Sequence, residues 1–273
     1  MLEYMYITNH PEVAQIIDGL GVDRVWIDLE VLGKEERQKN YDSVKSKHSI
    51  EDIEKIYPLL KKAKMQVRIN PMNETSEEEI NHVISAGCDY IMLPMYKTVN
   101  EVKQFLKYVD GRAKTILLLE TKEAMDILDD VLQLKGVDEM HIGLNDLHLS
   151  MHKQFMFELL ADGTVEKICS TIEKSGIPYG FGGIAGLGKG MLPAEYVIAE
   201  HYRLGSTRAI LSRSFCNTDD YTDYVEFENN FKKELDSIKE YEHSLAKKSP
   251  DFFKQNQINV KRSVQKVIEH MNK

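Results

Sequence analysis

The sequence predicts an α/β fold: eight parallel strands closed into a barrel, helices between them, and a helical extension after the barrel. Three observations predict it. Apolar strand-like runs recur eight times, segments of helical periodicity separate them, and the length of 273 residues lies near the ~250 typical of a (β/α)8, or TIM, barrel. The strands are read at residues 4–7, 24–30, 66–70, 90–95, 115–121, 139–146, 178–183 and 208–214. Between them, Ile80, Val83 and Ile84 share one helical stripe, and Val102, Phe105, Leu106 and Val109 another. Ser49 and Ser76 stand where helices begin, as capping residues do. Gly21, Gly87, Gly136, Gly176 and Gly205 stand where helices end before the next strand.

Two stretches depart from this rhythm. The connection after the second strand, residues 31–49, is long and polar and carries the charge run GKEERQK. Long connections at the C-terminal face of a barrel commonly carry function. The other stretch is the end of the chain, so the sequence divides into a barrel over residues 1–218 and a helical extension over 219–273. There Phe227, Phe231, Leu235, Ile238 and Tyr241 recur at steps of three and four among charged residues. A narrow apolar stripe on a charged helix needs a covering surface. A neighbouring subunit is the expected cover, and with it a homo-oligomer.

Composition narrows the function classes. With 35 basic and 44 acidic residues the formal charge is −9, which argues against a nucleic-acid partner. No apolar run approaches the ~20 residues that span a bilayer, and the first residues lack the basic and apolar segments of a signal peptide. Cys88, Cys169 and Cys216 show no metal-ligand or disulfide spacing, as in a reducing compartment. A cytoplasmic enzyme without membrane contact is the expectation.

The chemistry is expected at the strand ends. Glu120 closes the fifth strand and Asp146 the sixth, and adjacent strand ends lie roughly 5 Å apart. Two carboxylates that close repel unless a cation or shared proton lies between them, and a divalent ion with open positions suits such a pair. The same acids could serve as a helix cap and a turn residue. Arg68, inside VRIN, needs an anion if it points inward. That anion is either Asp28 or Glu30 on the second strand or a substrate carboxylate gripped in bidentate fashion. Asp28 and Glu30 share one strand face by the period of two and suit the polar barrel mouth. Lys34 and Arg37 in the following loop are solvent charges or anion ligands. His48 is either a cap or a group of suitable basicity for proton transfer. The segment GFGGIAGLGKG resembles a phosphate loop from Gly183 to Lys189, but Gly190 replaces the hydroxyl residue that would hold magnesium. A nucleotide triphosphatase is therefore rejected, and a mouth loop around Gly183 whose amides approach an anion is kept.

At these residues the chain resembles the HpcH/HpaI aldolase and citrate lyase beta-subunit superfamily. WIDLE, VRIN, AGCDYIMLPMYKTVNEV, LLLETKEAM and IGLNDLHLSM occur in the family's order. The resemblance implies a magnesium- or manganese-dependent barrel that makes or breaks carbon–carbon bonds next to a 2-oxo acid or acyl thioester. It places Glu120 and Asp146 at the metal-ligand positions and Arg68 at the arginine that contacts substrate. It departs in two places: Val31 stands where the aldolase branch has a histidine, and no second acid follows Glu30. The expected activity is a lyase of the class II aldolase type acting on pyruvate or oxaloacetate through a metal-stabilised enolate, with His48 or a metal-bound water as the candidate base. The alternatives are a citryl- or malyl-type acyl-CoA lyase or thioesterase on the same metal, and a 2-oxo-acid binding protein without turnover.

Overall fold

The computed structural model describes residues 1–33 and 48–272. Eight parallel strands follow one another in chain order around a closed barrel. They are β1 (Glu3–Ile7), β2 (Arg24–Asp28), β3 (Lys64–Arg68), β4 (Tyr90–Leu93), β5 (Lys114–Leu119), β6 (Glu139–Ile142), β7 (Tyr179–Ile184) and β8 (Arg208–Leu211). Most strands end earlier than the sequence suggests. β6 stops at Ile142, because after Gly143 the chain enters a helix at Leu144. The apolar run could not show that its second half is helical, since a short buried helix and a buried strand are equally apolar.

The unit Met5–Met140 carries β2 to β5 with the helices α1 (Pro11–Leu20), α2 (Ile50–Ile56), α3 (Ser76–Gly87), α4 (Val99–Val109), α5 (Lys122–Asp126) and α6 (Leu128–Val131). Helix starts follow the expected chemistry. Asp52 accepts from the Ser49 N–H at 2.8 Å ahead of α2. Ahead of α4, Thr98 Oγ1 accepts from the Glu101 N–H, while the Glu101 carboxylate accepts from the Thr98 N–H. At α3 the cap position is Thr75, and Ser76 instead accepts from the Asn73 N–H.

The interior of this unit is layered by the two-residue period. Arg24 on β2 donates to both oxygens of Glu139 on β6, at 2.8 and 2.7 Å, and to Gln66 on β3 at 3.2 Å. The Tyr90 ring of β4 lies under its guanidinium, 3.9 Å away. Four strands thus converge on one buried charge pair in the barrel floor. Two residues further along, Trp26 fills the next layer, and two further again stands Asp28, which begins the candidate site.

The second unit, Met1–Tyr4 with His141–Lys273, holds β7, β8 and the helices α7 (Leu144–Ser150), α8 (Glu158–Ala161), α9 (Thr164–Glu173), α10 (Ala194–Arg203), α11 (Tyr224–Leu245) and α12 (Pro250–Met271). The stripe of α11 is covered by its own chain: Phe227, Phe231, Leu235 and Ile238 are all buried. Phe231 meets Phe215 edge-on, and Phe227 meets Tyr221. Glu242, fully buried, accepts from the Leu2 N–H, the Tyr4 hydroxyl and the Tyr202 hydroxyl. α12 packs on α8 and α10, where Asn256 donates to Glu200 at 2.8 Å. Phe227, Phe231, Leu235 and Ile238 are thus buried within one chain, and packing of the extension on a neighbouring subunit stays a proposal. No described helix is long and apolar enough to cross a membrane.

Candidate active site

In the Met5–Met140 unit, ionisable side chains gather where the strands end. Asp28 and Arg68 are register partners, the last residues of β2 and β3. Being paired on one face, their side chains meet: Arg68 Nε donates to Asp28 Oδ1 and Nη2 to Oδ2, both at 2.8 Å. Nη1 lies 3.2 Å from Glu30 Oε2. Asp28 and Glu30 side chains are each 2% exposed against 13% for Arg68, so the arginine is the accessible member of the cluster. Burial opposes its charge, but Asp28, Glu30 and then Glu120 together hold its pKa well above the ordinary arginine value. Both readings of Arg68 are accommodated. The acids fix the plane of the fork, and only two of its five N–H groups are spent on Asp28.

Glu120 follows the last residue of β5 and is buried. Its Oε1 accepts from the Met95 N–H at 3.0 Å. Met95 is held in the left-handed region, φ 53°, where a non-glycine residue is strained. The same turn is tied at Tyr96, whose carbonyl accepts from the Thr121 hydroxyl at 3.0 Å. Tyr96 itself is buried, and its hydroxyl has no hydrogen-bond partner among the described residues. Sequence reasoning missed both residues. The signal available was a bulky aromatic directly after the Pro-Met pair that follows β4, a position ordinarily assigned to packing.

His48 lies within reach of the cluster. Its Nδ1 accepts from the Asp28 N–H at 3.0 Å. β1 follows β2 only as far as the Thr8 N–H bond to the Trp26 carbonyl, so the imidazole takes over the ladder where β1 has left. A neutral ring that accepts at Nδ1 carries its proton on Nε2. In this tautomer His48 offers a donor; acting as a base through Nε2 requires the other tautomer and the loss of this bond. Lys34 and Arg37 lie outside the described residues.

In the other unit, Asp146 stands in the first turn of α7 and not at a strand end. That corrects its expected placement, and a carboxylate there suits the positive end of the helix dipole. Gly183 belongs to β7, within a register irregularity between Gly180 and Gly183, and not to a loop. Its φ is ordinary. The glycines required by packing are its neighbours: a Cβ on Gly180 would collide with the Arg208 carbonyl, and one on Gly182 (φ 52°) would come within 2.8 Å of Leu144. Lys189 pairs with Glu234 of α11 at 2.8 Å, so the lysine of the phosphate-loop look-alike fastens the loop to the C-terminal helix.

Among the described residues no three or more His, Cys, Asp or Glu side chains converge as a metal cage. The two expected ligands, Glu120 and Asp146, stand one in each unit. Their chemistry fits a hard divalent ion, since both supply carboxylate oxygen, and Glu120 is oriented by a backbone amide and buried.

A parallel eight-stranded barrel with an arginine–carboxylate cluster at its C-terminal strand ends defines a class, the TIM-barrel enzymes, whose catalytic groups stand at that face. The model of the HpcH/HpaI aldolase/citrate lyase family matches residues 4–177, and the chain belongs to that family. The fold is shared with solved structures. An HpcH/HpaI aldolase from Desulfitobacterium hafniense DCB-2 is 14% identical, over 88% of this chain and 93% of that one, with a TM-score of 0.60. The citrate synthase SbnG is 16% identical, over 88% and 94%, with a TM-score of 0.58. Macrophomate synthase is 14% identical, over 78% and 77%, with a TM-score of 0.55. No curated protein matches the chain.

Proposed function

We propose that the protein is a divalent-metal-dependent carbon–carbon lyase acting on a 2-oxo acid of the pyruvate or oxaloacetate type. The observation that carries this reading is Arg68, pre-oriented by Asp28 and Glu30 at a strand end and still partly accessible, with Glu120 close enough to influence its charge. A planar fork held in this way suits a substrate carboxylate or an oxo oxygen. Glu120 and Asp146 are the proposed ligands of magnesium or manganese, on the strength of the family's motifs LLLET and GLND. When bound, the ion supplies Lewis acidity to the substrate's oxo oxygen. Arg68 places positive charge beside the same oxygen as negative charge develops there, an electrostatic contribution of about 3 kcal/mol in comparable sites. Asp28 and Glu30 keep the guanidinium from swinging away, and His48 holds the end of β2 through the Asp28 amide. The proton acceptor is His48 in its second tautomer or a water.

Acyl-CoA lyase or thioesterase chemistry is the second reading, favoured by Val31 in place of the aldolase-branch histidine. Family membership supports a lyase over a passive 2-oxo-acid binder. A cytoplasmic location is part of the proposal, as is a homo-oligomer, which the family's habit supports. The test is exchange of pyruvate methyl protons for deuterium by purified protein with magnesium, followed by proton NMR. Exchange is expected because it requires enolisation. Tight pyruvate binding without exchange would leave a passive binder, and neither binding nor exchange would move the reading to acyl thioesters.

A further inference from the structure

Where β2 and β3 end, a side chain takes over from their backbone ladder. In a parallel pair, every second N–H of one strand bonds a carbonyl of its neighbour. One step beyond the register pair Asp28 and Arg68, the Leu29 N–H donates to the Arg68 carbonyl at 2.9 Å. The next rung in that pattern would join the Val31 N–H to the Asn70 backbone carbonyl. It runs instead to the Asn70 side chain, whose Oδ1 accepts from the Val31 N–H at 2.9 Å and from the Leu32 N–H at 3.0 Å. The other end of the same amide is fixed on α3. Asn70 Nδ2 donates to Glu79 Oε1 at 2.8 Å, and the Asn70 N–H donates to that oxygen at 3.2 Å. With two N–H donors on one side and a carboxylate on the other, the amide has one orientation that satisfies both.

Glu30 thus stands between two held N–H groups, that of Leu29 before it and that of Val31 after it, and its carboxylate lies 3.2 Å from Arg68 Nη1. Stability alone gives little reason for the arrangement. Val31 and Leu32 are 57% and 47% exposed, so water could satisfy both N–H groups at nearly the same energy. Water cannot fix the direction in which the chain leaves β2, and that direction sets the place of Glu30 beside the arginine.

We infer that Asn70 is a positioning residue for substrate binding: it clamps the segment after β2 so that Glu30 holds the plane of the Arg68 guanidinium. The inference rests on the substrate role of Arg68 proposed above. Asn70 touches no substrate itself and acts through Val31 and Glu30. Glu79, in the first turn of α3, keeps the amide from turning over, so three separate pieces of chain set the fork. A binding group whose supports are themselves hydrogen-bonded keeps its geometry when the ligand is absent.

The test is Asn70→Ala in the full chain, read by calorimetric titration of pyruvate in magnesium. The dissociation constant should rise about tenfold, less than the roughly 100-fold that a misplacement of 1 Å can cost. Magnesium affinity should stay unchanged. In a Glu30→Ala background the same substitution should have little further effect, because residues that act through one contact are not additive. Asn70→Asp combined with Glu79→Gln keeps an oxygen toward Val31 and Leu32 and reverses donor and acceptor on the α3 side; this pair should return the constant towards the wild-type value. Asn70→Ser takes the place of Asn70→Ala if the latter does not fold. A lowered melting midpoint with an unchanged pyruvate constant would overturn the inference, since Asn70 would then serve the fold alone. Effects that multiply in the Glu30→Ala background, no recovery in the exchanged pair, or a parallel loss of magnesium affinity would overturn it as well. Failure of the wild type itself to bind pyruvate is a distinguishable outcome; it would remove the reading of the whole site and this inference with it.

Discussion

Replacing Arg68 by lysine separates the two duties of the arginine. The guanidinium makes two hydrogen bonds of 2.8 Å to Asp28 and an ion pair of 3.2 Å with Glu30. An ammonium keeps the charge but cannot reproduce the fork. Because it can still approach Asp28 or Glu30, most of the pairing energy is regained, and a net loss of about 1–2 kcal/mol is expected from one broken charge-assisted bond. At roughly 2–4 °C per kcal/mol for a chain of this size, the melting midpoint falls by about 2–8 °C. Substrate binding is expected to suffer more, because the donors proposed to face the 2-oxo acid lose their geometry. Losing one charge-assisted bond of about 1.5–3 kcal/mol raises the Michaelis constant for the 2-oxo acid roughly 10- to 150-fold. Steady-state kinetics with pyruvate or oxaloacetate, beside thermal melting, is the assay. Glu139→Gln is the control: it breaks the other bidentate pair, in the barrel floor, with side chains 1% and 3% exposed. Removing the buried countercharge of that arginine costs about 3–5 kcal/mol of stability and should leave the Michaelis constant of the folded fraction unchanged. If Arg68→Lys lowers the midpoint while its kinetics stay wild-type, Arg68 is a structural ion pair and the substrate role is refuted.

Three further outcomes are expected. Glu120→Gln and Asp146→Asn should each abolish magnesium or manganese binding in calorimetric titration without unfolding the chain; unchanged affinity in both would remove the metal assignment. His201 is fully buried, stacked on Phe181 at 3.8 Å and hydrogen-bonded through Nδ1 to Ser206. Burial, with a smaller contribution from His141, lowers its pKa to about 3. The unfolded chain therefore binds the extra proton between the ordinary histidine pKa of about 6.5 and that value, so stability falls with acidity across this window, by up to about 1.4 kcal/mol per pH unit. Denaturant melts of His201→Gln between pH 7 and 4 should show a flatter acid limb, and an identical limb would assign the effect to other groups. Glu242→Ala removes the shared acceptor of Leu2, Tyr4 and Tyr202; orphaning buried donors costs about 1–3 kcal/mol each. Chemical denaturation should therefore show a loss of several kcal/mol, and a loss below 1 kcal/mol would mean that solvent satisfies those donors.

Sequence alone determined the barrel, because eight apolar runs and the intervening helical stripes are local patterns set by periodicity. It determined the helix ends for the same reason: all five glycines read as helix stops adopt positive φ, a local steric requirement. Asp28, Glu30, Arg68 and Glu120 were legible as strand-end charges. Their pairing was legible only as alternatives, since the 2.8 Å fork depends on register across β2 and β3. Tertiary structure alone decided the rest. Asp146 moved from strand to helix because a short apolar run does not encode which it is. The charge pair of Arg24 and Glu139 joins residues 115 apart in sequence, a separation over which no local pattern carries information. The stripe of α11 announced that it needed a cover but not which surface would supply it. The bond from the Asp28 amide to His48 and the unmet hydroxyl of Tyr96 exist only once the chain has closed, because a hydrogen bond, made or missing, is a property of three-dimensional neighbours.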